Sequence, residues 1–207
     1  MQDKTSSPVP VPSNAAKPAL DLRGHRFKPL TWETLTPAQT QMVESVMSGK
    51  RGSMQGPYNV LLRSPELGDL AQKFGAHTRF NSSVPLALNE LVILLVARFW
   101  SCQFVWWAHR RIAVDAGLSQ TLIEAIAQGR APQGVEQDAA VVYDFCNALL
   151  QTRHVSDAQH AGVVALFCEA GVVDLMGTMS YYTLVSMSLN VDQYPLPEGV
   201  DAELLPL

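Results

Sequence analysis

Apolar positions recur along this chain at helical spacing, and the gaps between them carry helix punctuation. Leu20 to Leu35 reads as an arm leading into a domain, with Phe27, Leu30 and Trp32 as its anchors. Thr36-Pro37-Ala38-Gln39 is a helix start, with Thr as N-cap, Pro at the first position and Gln placed for a capping box. That helix runs to about Ser48 and ends at Gly49 and Gly52. Gly56-Pro57-Tyr58-Asn59 is a turn before a short apolar Val60-Leu61-Leu62, and Ser64-Pro65-Glu66 opens the next helix, to about Phe80. Pro85 opens a helix through Trp100. Ser101, as an N-cap, restarts the chain as a second one, Cys102 to Ala116, closed by Gly117 at C′. Ser119 opens a short helix to about Gln128, and Glu136 to Thr152 forms another. Ser156-x-x-Gln159 caps a helix that stops at Gly171, and Val172 to Asn190 is the last.

No segment alternates cleanly between turn signals, so no strand is predicted. The expected fold class is all-α, with seven or eight helices. Residues 1–19, rich in Pro, Ser and Ala, read as a disordered tail, 20–195 as a single helical domain, and 196–207 as an exposed C-terminal tail after Pro195 and Pro197.

At 207 residues and 47% hydrophobic content, the chain is long enough to bury one substantial core. A net charge of -4 and the lack of any basic cluster longer than a pair argue against a nucleic-acid partner. The apolar run Leu91 to Ala97 falls well short of the roughly 18 to 20 residues that span a bilayer, so no membrane partner is expected. Cys102, Cys146 and Cys168 are too few and too scattered for a disulfide framework or a metal site. The simplest location is cytoplasmic, or periplasmic if a signal peptide was removed. With no His-rich cluster, no glycine-rich phosphate loop and no HExxH, neither metal nor cofactor is expected.

Candidate chemistry concentrates in Glu90 to Leu118, an apolar and aromatic stretch that also holds Glu90, Arg98, Cys102, His109, Arg110 and Arg111. Ionisable groups buried in such company cost several kcal/mol unless paired, so their density suggests a site. Cys102 and His109, seven apart, fall about 20° apart around a helix, with Trp106 between them. A thiol in the first helical turn is expected to feel the N-terminal dipole, which favours thiolate. About 10 Å of rise separates it from His109, too far for a direct hydrogen bond. Glu90 lies on the preceding helix, and a fold-back near Ser101 brings its carboxylate toward His109 or Cys102, as an acid/base relay would need. On spacing alone the commoner reading of each residue is bland. A helical Cys is usually core, a His near tryptophans usually a satisfied core residue, and Arg110-Arg111 a solvated face.

Glu90, Cys102 twelve residues on and His109 seven further resemble the core motif of the carboxymuconolactone decarboxylase superfamily, which includes the AhpD alkylhydroperoxidases. Gly56 to Leu62, Ser64 to Leu67, Ala97 to Trp100, Ala116 to Leu118 and Tyr181 to Asn190 resemble its decarboxylase-like branch, over roughly residues 30 to 195. The resemblance implies an AhpD-like helical domain, a homo-oligomer (trimer or hexamer) and a small unsaturated organic acid or lactone as substrate. The departure is at Val105, where the redox branch has the second thiol of Cys-x-x-Cys and the decarboxylase-like branch often has a carboxylate.

Three functions stay open. The first is cofactor-free acid/base chemistry, a decarboxylation or related lyase or isomerase step. In it His109 is proton donor, Glu90 orients it, Arg98 or Arg110 clamps a carboxylate, and Trp106 and Tyr58 wall the pocket. The second is a one-Cys alkylhydroperoxidase using Cys102. The third is a non-catalytic family member that binds a small acid.

Overall fold

The computed structural model describes residues 17–205. Its described residues form eight helices and no strand, as the periodicity predicts: α1 (Pro37–Met47), α2 (Tyr58–Leu61), α3 (Pro65–Phe80), α4 (Leu86–Phe99), α5 (Gln103–Asp115), α6 (Gln120–Ala127), α7 (Gln137–Thr152) and α8 (Asp157–Asp192). The tail expected over 1–19 lies mostly outside the described residues.

Local punctuation sets most boundaries. Thr36 and Ser156 each complete a capping box, at the starts of α1 and α8. Gly117 takes φ 94 just past α5, where the Leu118 amide reaches back to the Ala113 carbonyl. The α4–α5 junction differs from the expected Ser101 N-cap. Ser101 has φ 47, the left-handed C′ position usually given to glycine, and Cys102 in extended conformation is the N-cap of α5. The Ser101 and Cys102 amides close onto the Arg98 and Ala97 carbonyls, so one residue both ends α4 and turns the chain back.

α4 is the axis of the fold. Every residue from Leu88 to Arg98 is buried, because α5, α6, α7 and α8 pack around it. A helix covered on all sides must satisfy its polar groups internally. Asn89 does so, donating to the Thr78 carbonyl (3.0 Å) and accepting from the Thr178 hydroxyl (2.8 Å). A second apolar cluster joins α1, α2 and α3, centred on Met42, Val43, Met54 and Leu62. The fully buried Asp192, at the end of α8, ties down the arm by accepting from the Arg26 and Phe27 amides (2.9 and 2.8 Å).

Two expectations change. α8 runs past Gly171 and is broken instead at Cys168 (φ 56). Gly171 serves packing, since a Cβ there would lie 2.1 Å from Phe167 Cβ. α8 also contains an 18-residue window of mean hydropathy 1.6, enough by length and composition for a membrane span, though it packs against α4 and α7. The C-terminal segment is not a free tail. Leu204 is buried, and its amide and carbonyl both bond the Gln103 side chain (3.0 and 2.6 Å).

Candidate active site

The turn at Ser101 lays α5 back along α4, so that Glu90 faces His109. His109 Nδ1 and Glu90 Oε2 are 2.7 Å apart, with the carboxylate wholly buried and the imidazole 7% exposed. With Glu90 ionised the carboxylate accepts, Nδ1 carries the proton of this bond and Nε2 is left for other work. Glu90 Oε1 has no partner. Tyr182 meets the imidazole edge-on (4.9 Å between centroids), and Tyr181 meets Tyr182 in the same way (5.2 Å).

His109 opens on a cavity of about 180 Å³. Tyr58, Tyr181 and Tyr182 line it with Phe104, Val105 and Trp107, and its cations are Arg51 and Arg79. Among the described residues no acidic side chain lines it. Arg51 lies over the Tyr58 and Tyr181 rings (6.0 and 5.5 Å), and its Nη2 donates to the Tyr181 hydroxyl at 3.1 Å. Gly75 gives Tyr181 its place, since a Cβ there would lie 2.0 Å from Tyr181 Cζ. Burial pushes the Tyr58, Tyr181 and Tyr182 phenols well up, so all three stay protonated at neutral pH. The Tyr182 hydroxyl and the Arg51 Nε–H are buried without partners, as is Glu90 Oε1. Unmet polar groups of this kind each cost about 1–3 kcal/mol, which is unusual to find gathered at one place.

Of the residues singled out from sequence, His109 and Tyr58 line the cavity and Glu90 stands directly behind His109. Cys102 does not line it. Its thiol is 1% exposed, and burial pushes its pKa up, outweighing the Val105 and Phe104 amides and the Ser186 hydroxyl that pull the other way. The expected thiolate-favouring dipole effect is therefore reversed. Position 105, where the redox branch has its second thiol, does line the cavity, with an apolar valine.

Trp106, Arg98 and Arg110 are turned elsewhere. Trp106 Nε1 donates to Glu203 Oε2 (2.9 Å), Arg110 pairs with Glu203 Oε1 (3.0 Å), and Arg98 donates to the Leu205 carbonyl (2.7 Å). The C-terminal segment occupies the side of α5 that the sequence reading gave to substrate. Trp107, Arg51 and Arg79 line the cavity in place of Trp106, Arg98 and Arg110. Tyr181 and Tyr182 were visible in the sequence as part of the resemblance. Arg51, in the loop Gly49-Lys50-Arg51-Gly52, gave no periodic signal.

Among the described residues no three His, Cys, Asp or Glu side chains gather as metal ligands. No known family model matches the chain, and no curated protein matches it. The site must be read from its own chemistry.

Proposed function

We propose that the chain is a cofactor-free acid/base enzyme of the carboxymuconolactone decarboxylase type, acting on a small unsaturated organic acid or lactone. The observation that carries this reading is the buried 2.7 Å Glu90–His109 pair at the wall of an aromatic-lined cavity. A buried carboxylate behind an imidazole fixes its tautomer and orientation. In a decarboxylation the C–C bond to the carboxylate breaks, carbon dioxide leaves, and the electron pair stays on a conjugated carbanion. Protonated His109 then gives its Nε2 proton to that carbon and returns to neutral imidazole. The same residues serve an isomerisation if neutral His109 first removes the proton that it later returns.

The peroxidase alternative gains little support from Cys102, whose thiol is buried, pushed toward its unreactive form and away from the cavity. A homo-oligomer belongs to the same proposal, supported by Leu67, Leu70, Val173 and Met176, all large, apolar and exposed. The test is turnover of a panel of conjugated acids and lactones by wild type and His109→Ala. A positioned proton donor contributes roughly 100- to 10,000-fold, so the variant should lose at least about two orders of magnitude in kcat. Unchanged turnover in a folded His109→Ala would sink the assignment.

A further inference from the structure

The proton chemistry leaves Arg51 without a task. Its half-buried guanidinium lines the same cavity as His109, yet among the described residues no carboxylate pairs with it. It is held by two ring faces and one neutral phenol, and its Nε–H has no partner. Aromatic faces and a phenol offset only part of the cost of removing such a cation from water. The missing part is an anion. Arg79, the other cation of the cavity, lies over the Phe80 ring (5.3 Å), and it is Arg51 that hydrogen-bonds a cavity tyrosine.

The size and walls of the cavity say what kind of anion. A closed, dry cavity of about 150 Å³ takes one benzene, so this solvent-open cavity of about 180 Å³ has room for a single ring or a conjugated chain of that size. Aromatic walls favour a flat π body over a puckered one. A planar carboxylate matches the fork of a guanidinium better than any other common anion of that size.

We propose that Arg51 is the anion anchor of this cavity, holding the carboxylate of a flat, single-ring-sized monocarboxylate whose π body packs among Tyr58, Tyr181 and Tyr182. The Tyr181 hydroxyl, by accepting from Nη2, sets the direction of the fork, and the remaining Nη N–H groups serve the ligand, the Nε–H being closed off. This rests on the same cavity as the acid/base reading and narrows its substrate class to anions that are flat.

Calorimetric titration at pH 8 tests it with three probes: benzoate, the uncharged benzamide, and the puckered cyclohexanecarboxylate. The proteins are wild type, Arg51→Gln, Arg51→Lys and, as a remote exposed control, Arg111→Gln, each checked for folding by circular dichroism. Wild type and Arg111→Gln should prefer benzoate over benzamide by about 10- to 100-fold, the range of a charge-assisted hydrogen bond. Arg51→Gln should bring that preference to within about threefold, and Arg51→Lys, a point charge without the fork, should keep part of it. Cyclohexanecarboxylate should bind wild type more weakly than benzoate. The anchor is overturned if benzamide matches benzoate in wild type, if benzoate fails to bind at about 10 mM, or if Arg51→Gln keeps the preference. Equal binding of cyclohexanecarboxylate overturns the flat-ligand part. Should Arg51→Gln not fold, the wild-type probes and Arg51→Lys decide. Binding and turnover read different steps, so a failed anchor and a failed proton donor give different results: loss of the benzoate preference in Arg51→Gln bears on the anchor, and turnover kept in His109→Ala bears on the proton donor.

Discussion

Around α5 the polar groups meet two different fates. Toward the C-terminal segment, Trp106 and Arg110 share Glu203, and the Gln103 amide takes both the amide and the carbonyl of Leu204. Toward the cavity, the Tyr182 hydroxyl, the Arg51 Nε–H and Glu90 Oε1 are buried unpartnered around His109. One helix borders both regions, and the second gathers more of the unmet groups, each costing roughly 1–3 kcal/mol, while on the first the Arg98 Nε–H is also buried without a partner. Unmet groups gathered beside a cavity are held at a cost in stability, as is common at places kept for a ligand.

The two tryptophans of α5 give the largest break of that contrast. Trp106 is 1% exposed and hydrogen-bonded, whereas Trp107 is half-buried at the cavity. Trp106→Ala should cost about 3–5 kcal/mol in urea unfolding, through lost burial and the cavity left behind. Trp107→Ala should cost about 1 kcal/mol, the ordinary value for a less enclosed site, and weaken ligand binding instead. If the two variants unfold alike, the flanks do not differ as described.

Glu90→Gln comes next, because it alters the cavity side without changing shape. Loss of the carboxylate that holds His109 Nδ1 should lower kcat/KM by about 10- to 100-fold, the worth of a charge-assisted hydrogen bond. Stability should hold or rise, since a wholly buried carboxylate is costly to desolvate. A variant that unfolds early in urea, in step with its lost activity, would make the pair a structural clasp.

Much of the helical frame was legible because its signals are local. The capping boxes at Thr36 and Ser156, the prolines opening α1 and α3, and Gly117 act within a few residues of where they stand. The meeting of Glu90 and His109 was legible as soon as a fold-back was placed near Ser101, although the residue that turns the chain does so as a left-handed C′ rather than as an N-cap. What failed was long-range. Nothing in α5 announces that residues 203–205 will cover Trp106 and Arg110, and nothing in the loop around Arg51 announces that it will reach Tyr181, 130 residues away. The thiol of Cys102 was misjudged for the same reason. The amides at the helix start are local and lower its pKa, whereas the burial that outweighs them comes from the whole fold.

Arg110 gives the smallest expected effect and the finest cut between the flanks. In the sequence it is as good a carboxylate clamp as any arginine, one residue from His109. In the fold its guanidinium pairs with Glu203 at 3.0 Å, with side chains 37% and 39% exposed. An ion pair so open to solvent contributes about 0–1 kcal/mol, so Arg110→Gln should barely move the urea midpoint. Because Glu203 still accepts from Trp106 Nε1 at 2.9 Å, the C-terminal segment keeps its hold without the arginine. Turnover and benzoate binding should therefore stay within about twofold of wild type, the ordinary range for a surface change away from a site. A tenfold loss of kcat/KM in Arg110→Gln, with the fold intact, would return the clamp to this arginine and place substrate on the flank that Glu203 now closes.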